Sequence, residues 1–315
     1  MKHAQWVLET VLFILISLPL AVLPYRLALK AGELLGLFLF YLWGSRRRIA
    51  VENIKASLFK GQESNPPLPP LTKGEHGGIK KLSIHYSAEG IARETFKNLG
   101  KSFVEIIKIY YGLGKKIIDS VDIEGIENFN RAKSKGKGVL FLTGHCGNWE
   151  LMAITTSVKL SDIAIIARPI DNPYINKFIE NARQRYGNTV IYKQGALKPI
   201  IQTLRNNGCV GILMDQAVIS DEGYVMDFLG RGAWTTKMPA LIARKTGAAV
   251  LPVFIHRTNG SHKIEVYPEV QLSNIDDKEG AVIEDTKRFS CFIEGYIRYH
   301  PTEWLWIHRR WKRVP

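Results

Sequence analysis

Apolar positions crowd the first forty residues. From Ala4 to Pro24 the chain reads AQWVLETVLFILISLPLAVLP, with Glu9 its only charge, close to the roughly 20 residues a helix needs to cross a bilayer. A second apolar stretch, Leu34 to Trp43, stops at Arg46-Arg47-Arg48. Trp6, Tyr41 and Trp43 stand where interfacial aromatics would, and the arginine run reads as a cytoplasmic stop signal. Leu27, Lys30, Ala31, Leu34, Leu35 and Phe38 recur at helical spacing, so residues 26–43 also suit a helix lying in the interface. The competing assignments are a cleaved signal peptide, for which no small-x-small site is evident, and a buried hairpin of a soluble protein. The pattern favours a membrane anchor over residues 1–48.

Residues 49–87 read as a linker helix followed by a proline- and glycine-rich insert, GQESNPPLPPLTKGEHGGIKK at 61–81. That composition suits a polar surface excursion without chemistry, and His76 and His85 beside it read as solvent-facing. From Ala88 the pattern changes. Ile91, Phe96, Leu99, Phe103, Ile106, Ile107 and Tyr110 mark a long amphipathic helix. Short β-branched runs then alternate with helical ones. Strands are expected at 121–124, 138–142, 163–167, 189–192, 210–214, 249–255 and 263–268. Helices are expected at 151–158, 173–186, 197–206, 237–246 and 284–299. Alternation of this kind predicts βαβ units, so residues 88–315 are expected to form one α/β domain with a mostly parallel central sheet flanked by helices.

In such sheets ligands bind beyond the carboxyl ends of the strands. Three expected strands deliver polar residues there: one ends in His145, one in Arg168, one in Asp215-Gln216. In Thr143-Gly-His-Cys-Gly-Asn-Trp-Glu150, a continuous helix would hold His145 and Glu150 about 140° apart. A strand, a turn through Gly147-Asn148 and a helix from Trp149 can bring them together. An ionised Glu150 on one imidazole nitrogen would fix the tautomer and leave the other nitrogen as a general base. The backbone N–H groups of Gly147 and Asn148 are candidate oxyanion donors. The alternative is a capped turn with a structural histidine. No serine or cysteine nucleophile motif accompanies His145, and Cys146 reads as buried, so the base would activate a substrate hydroxyl for direct acyl transfer.

Charge narrows the partners. The 315 residues hold 43 basic and 29 acidic side chains, a net +14, which suits nucleic acid, anionic lipid or an acidic protein. No helix-turn-helix, RNP or zinc pattern supports nucleic acid, and the histidines lack metal-ligand spacing. Cys146, Cys209 and Cys291 are scattered and odd in number, which suits a reducing compartment.

The strand followed by GHCGNWE, ARPIDNPY at 167–174, ILMDQ at 212–216, FLGRGAWTTKMP at 228–239, LPVF at 251–254 and the closing Trp304-to-Lys312 segment together resemble the lipid A biosynthesis late acyltransferases. These belong to the lysophospholipid acyltransferase superfamily, which shares a His-x4-Asp/Glu motif. Met214-Asp215-Gln216 stands where the glycerol-phosphate branch carries a Phe-Pro-Glu-Gly-Thr type motif, and the insert departs from the family's usual length. The resemblance implies transfer of a fatty acyl group from acyl carrier protein, as thioester co-substrate without another cofactor or a metal, to the 3-hydroxyl of an acyl chain on a lipid A precursor. It implies a bacterial inner membrane, with the catalytic domain on the cytoplasmic face. It makes His145 the general base and Glu150 its orienting carboxylate. Arg168 would hold a phosphate or the donor carbonyl, and Asp215, with Gln216, would position Arg168 or the acceptor. Arg231 and Lys237 would line the anionic headgroup path. The basic run from His308 to Arg313 would meet carrier protein or lipid phosphate, or simply pack. Acylation of another glycolipid, such as acylated phosphatidylinositol mannoside, or of a glycerol phosphate remains open, as does non-catalytic binding of anionic lipid.

Overall fold

The computed structural model describes residues 2–59, 87–312 and 314; the proline- and glycine-rich insert, with His76 and His85, lies outside them. Three helices open the chain: α1 (Lys2–Val22), α2 (Tyr25–Leu42) and α3 (Gly44–Ile54), the last running into a π-turn at Lys55–Phe59. Then follow α4 (Ala88–Tyr110), α5 (Lys115–Asp119), β1 (Asp122–Glu124), α6 (Ile126–Lys133), β2 (Val139–Thr143), α7 (Trp149–Lys159), β3 (Ile163–Ala167), α8 (Pro173–Arg185), β4 (Thr189–Tyr192), α9 (Leu197–Arg205) and β5 (Cys209–Leu213). A hairpin, β6 (Gly223–Phe228) and β7 (Arg231–Thr236), precedes α10 (Met238–Thr246), β8 (Ala249–Arg257), β9 (His262–Val266) and α11 (Lys278–Tyr299).

The protein is α/β. Seven strands form one sheet in the order β1-β9-β8-β2-β5-β3-β4. β8, β2, β5, β3 and β4 run parallel, while β9 pairs antiparallel with β8 and parallel with β1. Alternate residues of the central strands feed two apolar layers, as the pleat requires. Leu140, Leu142, Val210, Ile212 and Val250 pack with Ile200 and Leu204 of α9 and with Ile242 of α10. Val139, Phe141, Ile163, Ile165, Leu251 and Val253 pack with Phe129 of α6, with Leu151 and Ile154 of α7, and against Phe178 of α8.

The hairpin is an element that hydrophobic periodicity did not announce. Its turn holds Leu229 at φ 56° and Gly230 at φ 80°, and a left-handed leucine is uncommon. It is held from outside by Glu294 of α11, whose Oε2 accepts the Leu229 N–H at 2.9 Å, and from within by Asp227 of β6, whose Oδ1 accepts the Gly230 N–H at 2.8 Å.

α1 is long and apolar enough to cross a membrane, and most of its surface is exposed. It packs along α4 and α8. Glu9, the charge interrupting its apolar run, accepts from Asn172 Nδ2 at 3.0 Å. α2 turns a face of Ala28, Gly32, Gly36 and Phe40 onto α4, leaving Leu27, Leu34, Phe38 and Tyr41 outward. The two backbones approach so closely that a Cβ on Gly32 would stand 2.5 Å from the Gly100 carbonyl oxygen, and one on Gly36 would meet that of Phe96. Only glycine admits that seam. The apolar stripe legible in the sequence is therefore the face turned away from the protein.

Candidate active site

β2 and β5 are neighbours, with Thr143 opposite Leu213. Two residues beyond that pair, on both strands, stand His145 and Asp215. Asp215 Oδ1 lies 2.8 Å from His145 Nδ1, and Asp215 Oδ2 accepts the His145 backbone N–H at 2.9 Å and the Trp304 indole N–H at 2.8 Å. Burial alone would raise the pKa of the Asp215 carboxyl, but His145 and the indole donor hold it down to about 2. For His145, burial disfavours the imidazolium, yet the charge and hydrogen bond of Asp215 win and raise its pKa above the ordinary histidine value. An ionised Asp215 on Nδ1 selects the Nδ1–H tautomer. The other nitrogen, Nε2, then carries the lone pair and faces Gln216 Nε2 at 3.1 Å. The ring meets Trp149 edge-on, with centroids 5.1 Å apart.

This geometry corrects the expected partner of His145. Glu150 accepts from Arg183 Nε at 2.5 Å, Arg183 Nη2 at 3.0 Å and Tyr110 Oη at 2.7 Å. It sits in the first turn of α7, where the side chain leans onto α4 and α8, and a fork-shaped guanidinium satisfies a carboxylate better than one imidazole N–H. The parallel register meanwhile sets Asp215 directly beside His145. Asp215 thus contacts the imidazole that Glu150 was expected to orient, and not Arg168.

The turn that carries His145 is fixed by segments distant from it in the chain. Gly147 has φ 56°, and a Cβ there would run into the Ile255 carbonyl oxygen, so no other residue fits. The Gly147 N–H donates to the Glu303 carbonyl at 2.7 Å, and the Leu305 N–H to the His145 carbonyl at 3.2 Å. Gly147 is therefore not free to serve an oxyanion. Asn148 is buried; its Oδ1 caps α7 by accepting the Leu151 N–H, and its Nδ2 donates to Glu105 Oε2 at 3.0 Å. Cys146 is also buried, its thiol pKa pushed up by burial, and is no nucleophile.

The remaining expected residues are dispersed. Arg168 stands exposed just past the end of β3. Arg231 is half-buried, with its guanidinium 4.2 Å from the Trp311 ring centroid and its pKa lowered by burial; Lys237 Nζ lies 5.3 Å from that of Tyr224. Within the basic C-terminal run, Arg310 is packed into the protein while Arg309 and Lys312 are exposed. Arg310 is 0 % exposed, donating to the Trp234 carbonyl and to Thr235 Oγ1, and Trp304 and Trp306 are buried. Arg313 lies outside the described residues.

Several supporting residues carried no signal in the sequence. Arg183 lies 33 positions from Glu150, and no periodicity links them. Glu105, at 0 % exposure, gathers Asn148, Tyr25 Oη at 2.8 Å, Arg257 at 2.7 and 2.9 Å and His262 Nε2 at 3.0 Å. Away from the turn, His256 and His300 stack at 4.4 Å beside Glu265, the His/carboxylate group among the described residues compact enough to hold a cation. Burial lowers the pKa of both histidines, His300 to about 4.

Residues 85–313 match the family model of the bacterial lipid A biosynthesis acyltransferases. The lipid A biosynthesis palmitoleoyltransferase of Escherichia coli is 25% identical over 256 residues, covering 78% of this chain and 81% of that one. The lipid A biosynthesis lauroyltransferase of the same organism is 24% identical over 98% of this chain and 92% of its own. A phosphatidylinositol mannoside acyltransferase of Mycobacterium tuberculosis is 23% identical over 69% of each. With the family model matching nearly all of the chain from His85 onward, this protein belongs to the bacterial lipid A biosynthesis acyltransferase family and is an acyltransferase.

Proposed function

We propose that this protein transfers a fatty acyl group from acyl carrier protein to a hydroxyl of a lipid A precursor, a secondary acylation of lipopolysaccharide biosynthesis. It works at a bacterial inner membrane with its catalytic domain on the cytoplasmic face. The observation that carries the reading is the His145–Asp215 pair at the ends of adjacent parallel strands, with Nε2 left to accept a proton. Supporting it are the family, the names of the relatives, an apolar N-terminal helix and a +14 charge suited to an anionic lipid and an acidic carrier.

The acceptor hydroxyl displaces the Gln216 amide from Nε2. Its oxygen attacks the thioester carbonyl carbon as Nε2 takes the proton, and Asp215 stabilises the imidazolium. The tetrahedral intermediate collapses by breaking the carbon–sulfur bond, and the departing thiolate takes the proton from Nε2. The released Gln216 amide N–H is positioned as a donor to the oxyanion, a role that Gly147 cannot fill. Arg168, exposed at the neighbouring strand end, supplies a cation for a phosphate of the acceptor. Arg231 and Lys237 extend that positive path along the hairpin.

The test is His145→Ala in purified protein given acyl carrier protein thioester and lipid A precursor. Loss of the base lowers turnover by about 10²–10⁴; near-wild-type turnover refutes the assignment. The mycobacterial relative makes a phosphatidylinositol mannoside the second acceptor to compare. Mass spectrometry of lipids from a deletion strain separates the two, since a lipid A lacking one secondary acyl chain appears only under the first.

A further inference from the structure

A second feature lies on the face of the sheet opposite α7 and α8. Between α9 and α10 runs an open groove of about 720 Å³, lined by Leu197, Lys198, Ile201, Gln202 and Arg205 of α9 and by Lys245 of α10. Its lining holds no carboxylate. Lys198, Arg205 and Lys245 are exposed, and none has an ion-pair partner among the described residues. Elsewhere on this basic protein Lys97, Lys135, Arg244 and Arg288 each face a carboxylate. Leu197, 44 % exposed, and Ile201, between Lys198 and Arg205 along α9, give the groove an apolar strip.

We propose that this groove is the docking surface for the acidic carrier protein that delivers the acyl thioester, an inference that rests on the donor assigned above. Three unneutralised cations around an apolar strip complement an amphipathic acidic helix: the apolar strip takes its buried stripe and the cations its carboxylates. α9 begins just after β4, at the carboxyl edge of the sheet where His145 stands, and ends just before β5, so Lys198 lies towards that edge and Arg205 and Lys245 towards the opposite one; a carrier seated along α9 spans the two and reaches the edge at which the acyl group is used. A membrane is the poorer occupant, because the groove is concave.

Lys198→Glu, Arg205→Glu and Lys245→Glu, singly and together, test the surface in the full-length protein. All three positions are exposed, and none belongs to the catalytic turn. In the triple variant KM for the acyl carrier protein thioester rises about tenfold or more, with kcat at saturation within about twofold of wild type, and the wild-type KM rises with salt while that of the variant does not. Turnover of an acyl-pantetheine thioester, which carries the acyl group without the protein, stays unchanged. An unaltered KM for the carrier thioester overturns the proposal. So does an unaltered KM together with lost binding to phosphatidylglycerol vesicles, which would make the groove a membrane contact. If the wild-type protein uses the pantetheine thioester but not the carrier thioester, the donor assignment itself fails and the docking surface with it.

Discussion

His145 and Asp215 are each visible in the sequence as polar residues closing an apolar strand, yet their partnership is not, because it depends on which strands are neighbours. β5 comes to lie beside β2 only after two βα units have been placed on its far side. Glu150, close in sequence, pairs instead with Arg183 and Tyr110. Two substitutions separate these roles. Asp215→Asn removes the carboxylate that raises the His145 pKa, so the acid limb of the kcat/KM profile, set by protonation of the base, moves to lower pH while kcat falls by about 10²–10⁴. Glu150→Gln weakens the anchor for Arg183 but leaves that limb where it is. A limb that moved with Glu150→Gln and not with Asp215→Asn would return the orienting role to Glu150.

Among the elements, the buried carboxylate of Glu105 ties α4 to the start of α2, the cap of α7, the end of β8 and the start of β9. Burial disfavours its charge, but hydrogen bonds and charges from His262 and Arg257 prevail and depress its pKa. A depressed carboxylate pKa means this stabilisation is present at neutral pH and is lost as pH falls below the ordinary carboxylate range. Glu105→Gln leaves Arg257 buried without its counter-charge, and denaturant unfolding should report a loss of about 3–5 kcal/mol. The α2–α4 seam has a different weak point. Gly36→Leu drives a side chain into the Phe96 backbone; overpacking costs about 1–3 kcal/mol, read as a lower Tm and faster proteolysis after α2. Nothing in the hydrophobic pattern pointed to that seam, since glycine carries no apolar signal and the outward stripe of Leu27, Leu34 and Phe38 is the stronger one.

For the molecule as a whole, α1 stands by the catalytic edge. Asn172, which caps α8 just beyond the end of β3, also donates to the Trp6 carbonyl and to Glu9. Under the proposed function, an acceptor lipid leaving a bilayer along α1 would arrive beside Arg168 and the strand ends. If α1 anchors the protein, the wild type stays in the membrane pellet through salt and alkaline carbonate washes. Leu12→Lys with Ile16→Lys, each costing about 2.5–3.5 kcal/mol within a bilayer, releases it to the supernatant. The sequence by itself determined the α/β alternation, the strands that deliver His145, Arg168 and Asp215, and the apolar N-terminus, because these follow from periodicities of 2 and 3.6 and from the length of a run. Only the tertiary structure decided that Asp215 holds His145, that Gly147 is bound by Glu303, that the C-terminal Arg310 is buried packing, and that Glu105 gathers five elements. Those contacts join residues up to 157 positions apart, as Glu105 and His262 are, and strand order, backbone proximity and competition among donors select them; none of these leaves a local trace in the chain.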